Sequence, residues 1–219
     1  MKNPKLKEIY GAASRLFISQ GYSKTKISHI ANEIGVSVGT IYNNFEGKQE
    51  IMYFVLKCTV EPGYLEKNFE FPISYKEFIG IEEELIYALQ SIGDNFAKNL
   101  NNEMYTFSEM ISDAFDVVST YAVGCLFIEH NQNEIQKLTD YYKIYRKNFF
   151  NTIEKYISNF IKNGTVRNIE YKQYAVTMIV EILCTWGMDV KYNLFEKLDI
   201  EPEIAKKVCM DNIINAYKV

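Results

Sequence analysis

The sequence predicts an all-α protein, and three observations carry that expectation. Apolar residues recur at three- and four-residue spacing along most of the chain. Only 4 prolines and 11 glycines punctuate 219 residues, too few for many short strands. Alternating strand patterns are absent beyond short ambiguous runs such as 165–169. A chain of this length can bury a real core, as one compact unit or as two lobes.

Taken in order, Pro4 suits the first turn of an opening helix. Leu6, Ile9, Ala13, Leu16 and Phe17 then share one face, and Gly21 stops the helix. Residues 23–48, SKTKISHIANEIGVSVGTIYNNFEGK, read as two short helices joined by a tight turn. Thr25 is the expected N-cap of the first, and Ile27, Ile30, Ala31 and Ile34 form its apolar stripe. Gly35 ends it where a positive φ is needed. Ser37 is placed to cap the second helix, 37–45, with Ile41 and Phe45 four apart on its inward face. Ala31 is small where the two helices must cross. This is a helix-turn-helix, whose second helix fits the DNA major groove.

A further helix is expected from Lys48, with Ile51, Phe54, Val55 and Cys58 inward, and Pro62 with Gly63 should break it. The run FEFPISY at 69–75 reads as a connection. From Lys76 the stripe Phe78, Ile81, Leu85, Leu89, Ile92 and Phe96 predicts another helix, ended by Asn99, Asn101 and Asn102. Residues 103–130 hold one or two more. A long helix is expected over 134–163, stopped by Gly164. Residues 171–195 are apolar nearly all round between Val176 and Val190, so own-chain core on one side and a partner chain on the other are expected to cover them. Pro202 opens a last helix.

The block SVGTIYNNFEGKQEI, after KTKISHIANEIGV and AASRLFISQGY, closely resembles the DNA-binding segment of the TetR family of repressors. Gly21, Tyr22, Ile30, Ala31, Gly35, Val36, Gly39, Thr40, Tyr42, Phe45 and Lys48 are in register with that family over roughly residues 5–55. Two positions depart from it: Val38 stands where the family often has Lys, and Asn44 where it often has His. The resemblance implies a three-helix DNA-binding domain at 1–47 and a helical ligand-binding and dimerisation domain at 48–219. It also implies that the last two helices pair with a second copy and that the middle helices enclose a small-molecule effector.

Side-chain chemistry suggests how the DNA-binding end is used. Val38, Thr40 and Asn43 are expected to face base edges, since Asn can pair with adenine, Thr with several edges, and Val with a thymine methyl. Ser37, Tyr42 and Lys48 match family positions that touch phosphate, a contact that positions a duplex without reading it. Gly39 allows close approach to the duplex, and Thr25 and Asn44 complete the expected DNA-binding set. Residues 1–52 carry 7 Lys/Arg against 4 Asp/Glu, and residues 53–219 carry 17 against 24. The basic end is the end that needs phosphate attraction. Lys2, Lys5 and Lys7 add to it.

Tyr at 17 and Phe at 14 are many for this length. Part of them must be core, and part suits a pocket for a small, largely apolar or aromatic effector. Phe107, Phe115, Tyr121, Phe127, Tyr141, Tyr145, Met178 and Trp186 are the candidate pocket residues; Glu109, Asp113 and Glu181 would meet a cationic one. No nucleophile elbow, glycine-rich phosphate loop or metal-spaced His/Glu motif occurs, so neither an enzyme nor a bound metal or cofactor is expected. Cys58, Cys125, Cys184 and Cys209 are far apart and read as buried free thiols. The segment MKNPKLKEIY lacks the apolar run of a secretory leader, and charges interrupt every apolar stretch, so a cytoplasmic protein with no membrane partner is expected. The expected function is a homodimeric, effector-responsive repressor on a palindromic operator; the alternative is a helical interaction or sensor protein that has lost specific DNA binding.

Overall fold

Eleven α-helices, two 3-10 turns and one π-turn make up the computed structural model, which describes residues 3–61, 63–192 and 198–219. No strand occurs among them. The helices are α1 (Pro4–Ser19), α2 (Ile27–Glu33), α3 (Val38–Tyr42), α4 (Lys48–Val60), α5 (Ile81–Ala97), α6 (Phe107–Thr120), α7 (Ala122–His130), α8 (Gln136–Lys162), α9 (Lys172–Cys184), α10 (Val190–Tyr192) and α11 (Pro202–Tyr217). The chain divides into two compact units, Met1–Ala88 with Val123–Asp140, and Leu89–Ala122 with Tyr141–Val219.

In the N-terminal unit most local signals are used as the sequence predicts, the exceptions being Thr25, which does not cap α2, and the second helix of the pair, which spans Val38–Tyr42 and not 37–45. Pro4 stands in the first turn of α1, whose cap is the Asn3 side chain accepting from Leu6 N–H at 3.2 Å. Gly21 and Gly35 take φ of +89° and +67°, so each closes its helix in the left-handed region that side-chain-bearing residues avoid. α1 packs on α2 and α4, and α2 on α3. Leu6, Ile9, Ala13, Phe17, Ile30, Ala31, Ile41, Phe45 and Phe54 are fully buried there. α4 is covered on nearly every side, from Glu50 to Leu56. Phe45 and Ile73 form an isolated parallel bridge, with Ile73 N–H donating to Asn44 O at 2.8 Å and Glu46 N–H to Ile73 O at 3.0 Å. The 69–75 connection is thereby tied to the end of the helix-turn-helix.

Some boundaries move. The helix expected from Lys76 begins at Ile81, because the chain makes a 3-10 turn at Tyr75–Phe78 and Gly80 takes φ of +80°. α4 ends at Val60. Pro62, named with Gly63 as its breaker, lies outside the described residues, as does Lys2.

In the second unit, α11 and α9 pack on α6. The helix expected over 171–195 runs without a break from Lys172 to Tyr192, with a π-helical segment at Thr185–Asp189 between α9 and α10. There Gly187 runs so close to α6 that a Cβ would stand 2.8 Å from Val118 Cγ1. The last part of that predicted helix, 193–195, lies outside the described residues. The run 165–169 forms only an isolated bridge, Val166 to Lys218. Around Tyr156 the rings of Phe96, Tyr105 and Phe160 gather at centroid distances of 5.4–6.3 Å, the aromatic core of this unit. No single helix among the described residues is long and apolar enough to cross a membrane.

Candidate nucleic-acid interface

α3 is only five residues long, and its start is held by a side chain. Ser37 Oγ accepts from Thr40 N–H at 3.2 Å and lies 3.0 Å from Thr40 Oγ1. The two hydroxyls therefore form one small polar cluster at the exposed end of the helix. Val38 is 39% and Tyr42 49% exposed, with Asn43 exposed beside them, while Ile41 points fully inward. A Cβ on Gly39 would meet Ser37 Oγ at 3.6 Å, an ordinary contact. This face carries hydroxyl, amide, phenol and apolar groups, the kinds of side chain that can meet base edges and phosphates.

Three of the predicted residues are turned elsewhere. Thr25 is not the cap of α2; that position belongs to Lys26. The Thr25 side chain is 1% exposed, its hydroxyl donating to Gly21 O at 2.7 Å and accepting from Gln20 Nε2 at 3.1 Å. Asn44 Nδ2 folds back to Thr40 O at 2.8 Å. Lys48 directs its ammonium into the protein, donating to Tyr22 O at 2.9 Å and Thr25 O at 3.0 Å and sitting 4.1 Å over the Tyr22 ring. Two of its three N–H donors thus hold the turn between α1 and α2. Burial, together with Glu134, Glu50 and Tyr53 nearby, pushes the Tyr22 hydroxyl up to about 12, so it stays a neutral donor.

The same turn is held from a distant segment that the sequence did not single out. Asn131, 7% exposed, accepts from Tyr22 N–H at 2.6 Å and donates to Phe17 O at 3.1 Å and Phe127 O at 2.8 Å. His130 Nδ1 donates to Ile18 O at 2.6 Å, and Ser23 hydrogen-bonds Glu134. Phe127, named as a pocket residue, instead packs edge-on against Phe17 at 5.9 Å in this unit. Exposed Lys24 and Lys26 flank the turn and were also not singled out. Their signal was present in the sequence as KTK beside the helix-turn-helix.

Two cavities lie wholly within the second unit. One of about 730 Å³ is lined by asparagines such as Asn99, Asn102 and Asn159 around Tyr105 and Tyr156. The other, about 230 Å³, lies between α5 and α8 and includes Tyr141 and Tyr145. Phe107, Phe115, Tyr121, Met178 and Trp186 line neither; Phe107 and Phe115 are core, and Met178 is 60% exposed. Among the acidic candidates, Glu109 completes a capping box with Thr106, whose hydroxyl and N–H hold its carboxyl below the usual range. Asp113 accepts from Tyr105 O–H at 2.8 Å, and Glu181 is exposed. All four cysteines are free thiols; burial pushes Cys209 up to about 12 and raises Cys58 as well, with a further push from Glu61. Thiols held protonated in this way are poor nucleophiles. No cluster of His, Cys, Asp and Glu among the described residues could hold a metal ion.

Known proteins are similar to the N-terminal segment of this chain in sequence and to the whole of it in fold. A family model described as "Bacterial regulatory proteins, tetR family" matches residues 9–52. The chain is 45% identical over 64 residues to the HTH-type transcriptional regulator HbdR of Aromatoleum sp. (strain CIB), covering 27% of this chain and 28% of that protein. It is 38% identical over 56 residues to the fatty acid metabolism regulator protein of Bacillus subtilis (strain 168), covering 26% and 29%. The chain thus matches less than a third of the length of these relatives. Over its whole length its fold is similar to the ketosteroid transcriptional regulator KstR2 of Mycobacterium tuberculosis, with a TM-score of 0.55 at 12% identity, covering 100% of this chain and 97% of that one.

Proposed function

From a chain whose residues 9–52 match the TetR family of bacterial regulatory proteins, we propose a homodimeric transcriptional regulator, acting in the cytoplasm as a repressor. It binds a palindromic operator and is released by a small, largely apolar or aromatic molecule. The observation that carries the reading is the exposed face of α3. Val38, Tyr42 and Asn43 stand outward there on a helix locked by Ser37 at its start and Ile41 beneath. Ser37, Thr40 and Tyr42 position the duplex, and Val38 and Asn43 read bases over the close approach at Gly39. Thr25, Asn44 and Lys48 act by holding α2, α3 and the turn before them. Functionally, 1–47 serves as the reading head and 48–219 as the sensor and dimerisation part. One short helix contacts too few bases to be selective, so two copies are needed. The apolar stripe of Tyr171 at the cap of α9 and Tyr174 and Met178 on it, with Ile204 on α11, supports pairing through these helices, since all four are more than half exposed. Sedimentation equilibrium should give about twice 25.5 kDa.

The deciding experiment is fluorescence anisotropy on an operator selected from random DNA. Tyr42→Ala should weaken binding similarly on every sequence, whereas Asn43→Ala should flatten preference at particular base pairs, costing about 1–3 kcal/mol there. Binding should fall steeply with added salt through counterion release. If both variants bind like the parent, α3 is not the reading helix. One observation favours the second reading, a helical interaction or sensor protein without DNA specificity: Lys48 and Asn44 direct their polar groups inward. Selection yielding no enriched sequence would establish that reading instead.

A further inference from the structure

The 230 Å³ cavity between α5 and α8 has a lining that discriminates by charge. Four rings, Phe96, Tyr141, Tyr145 and Phe149, contribute to its wall, Asp94 belongs to the same lining, and no lysine, arginine or histidine does. Tyr145 and Phe149 stand one helical turn apart on α8 with planes 22° from parallel and centroids 6.4 Å apart. Phe96 meets Phe149 from α5 at 5.0 Å. Aromatic faces carry a negative quadrupole, so the rings and the Asp94 carboxylate attract a cation, whereas an anion would find only neutral donors such as Gln90, Asn148 and Thr152.

Gly93 adds an independent sign that this space is kept open. It sits inside α5, where glycine costs about 1 kcal/mol relative to alanine. Its φ is not positive, so the backbone does not demand glycine. A Cβ there would touch the Tyr145 ring at 3.7 and 3.8 Å, ordinary contact distances, so packing does not demand it either. What a methyl group would take is room from the cavity. The volume is below the roughly 300–1,000 Å³ of pockets for drug-sized ligands, so the occupant is small.

We propose that this cavity binds a small organic cation, a quaternary ammonium or protonated amine, with its apolar shell against Tyr141 and Tyr145 and Asp94 as its counter-charge. This narrows the effector of the regulator reading from a largely apolar or aromatic molecule to a cationic one with an apolar shell, and it depends on that reading only for its consequence at DNA. The test is calorimetric titration of the full chain with tetramethylammonium chloride, at ionic strength matched with sodium chloride, against neopentyl alcohol, a neutral molecule with a similar branched shell. The cation should bind at least tenfold more tightly than the alcohol. Tyr145→Leu should weaken it about three- to thirty-fold, the range of a cation–π contact from partly to well desolvated, and Asp94→Asn, which removes an exposed counter-charge, about two- to five-fold. Gly93→Ala should weaken it while raising the melting temperature, a combination that structural damage does not produce. Equal binding of alcohol and cation, no heat from the cation at tens of millimolar, or parent-like affinity in both Asp94→Asn and Gly93→Ala would overturn the proposal. Repeating the anisotropy assay with the cation separates the two readings. Cation binding that leaves operator affinity unchanged removes the regulatory consequence and keeps the site, whereas operator binding by a protein that ignores the cation removes the site alone.

Discussion

Asn131→Ala removes the buried side chain that ties the turn before α2 to the segment after α7, where Ser23 and Glu134 make a second, exposed link. Three hydrogen bonds disappear, but their loss is unequal. Phe127 O still accepts from the Asn131 main-chain N–H at 3.0 Å, so it is not orphaned. Tyr22 N–H and Phe17 O lose the amide at 2.6 and 3.1 Å, and alanine offers no replacement. An unsatisfied buried group costs about 1–3 kcal/mol. Tyr22 is only half-buried, which places its share at the low end, so the sum is about 2–4 kcal/mol. In a chain of this size each kcal/mol moves the melting temperature by about 2–4 °C, and the expected fall is about 5–15 °C. Thermal unfolding followed by circular dichroism measures it, with Gln132→Ala as a control. The side chain of that exposed neighbour donates to Glu129 O at 3.2 Å, its main-chain O keeps the bond from Thr139 in the variant, and stability should stay within about 0.5 kcal/mol of the parent. DNA affinity should fall with Asn131→Ala as well, since the reading head loses its brace. A melting temperature no lower than that of Gln132→Ala would refute the accounting.

Two further predictions concern the same unit. Tyr64 O–H is buried with no hydrogen-bond partner, and burial raises its titration point well above the ordinary phenol, so Tyr64→Phe should leave the melting temperature unchanged or raise it. A loss of more than about 1 kcal/mol in denaturant unfolding would show that the hydroxyl is satisfied. Glu61 is held below its ordinary value of 4.5 by a hydrogen bond from Lys67, with a second from Lys57, while its partial burial opposes both. A depressed carboxylate contributes stability that is present above the unfolded value and is lost as pH falls through the folded one. Stability measured from pH 6 downward should therefore decline below about 4.5, and the decline should be shallower in Lys57→Met/Lys67→Met. An identical acid limb in parent and variant would remove Glu61 from the explanation.

How much of this was legible beforehand depends on how far apart the interacting groups lie. The sequence alone determined the all-α class, the helix-turn-helix and its outward face, because those follow from neighbours within a few residues. Ser37 caps α3 through Thr40 N–H three positions on, Gly35 and Gly164 stop helices by their own φ, and the stripe from Leu138 to Phe160 repeats at helical spacing within α8. Tertiary structure alone decided where the polar groups at these elements point. Lys48 looks like a phosphate ligand by type and position, yet carbonyls 23 and 26 residues back claim its ammonium. Thr25 has the chemistry of a cap, but it is buried beneath α1 and bonds backward to Gly21. Phe127 and Asn131 reach Phe17 and Tyr22 across more than a hundred residues, a pairing that no local pattern encodes. Periodicity reports which side of a helix is buried; it carries no information about which distant donor or acceptor waits there. Burial makes that partner energetically decisive, and the folded chain alone supplies it.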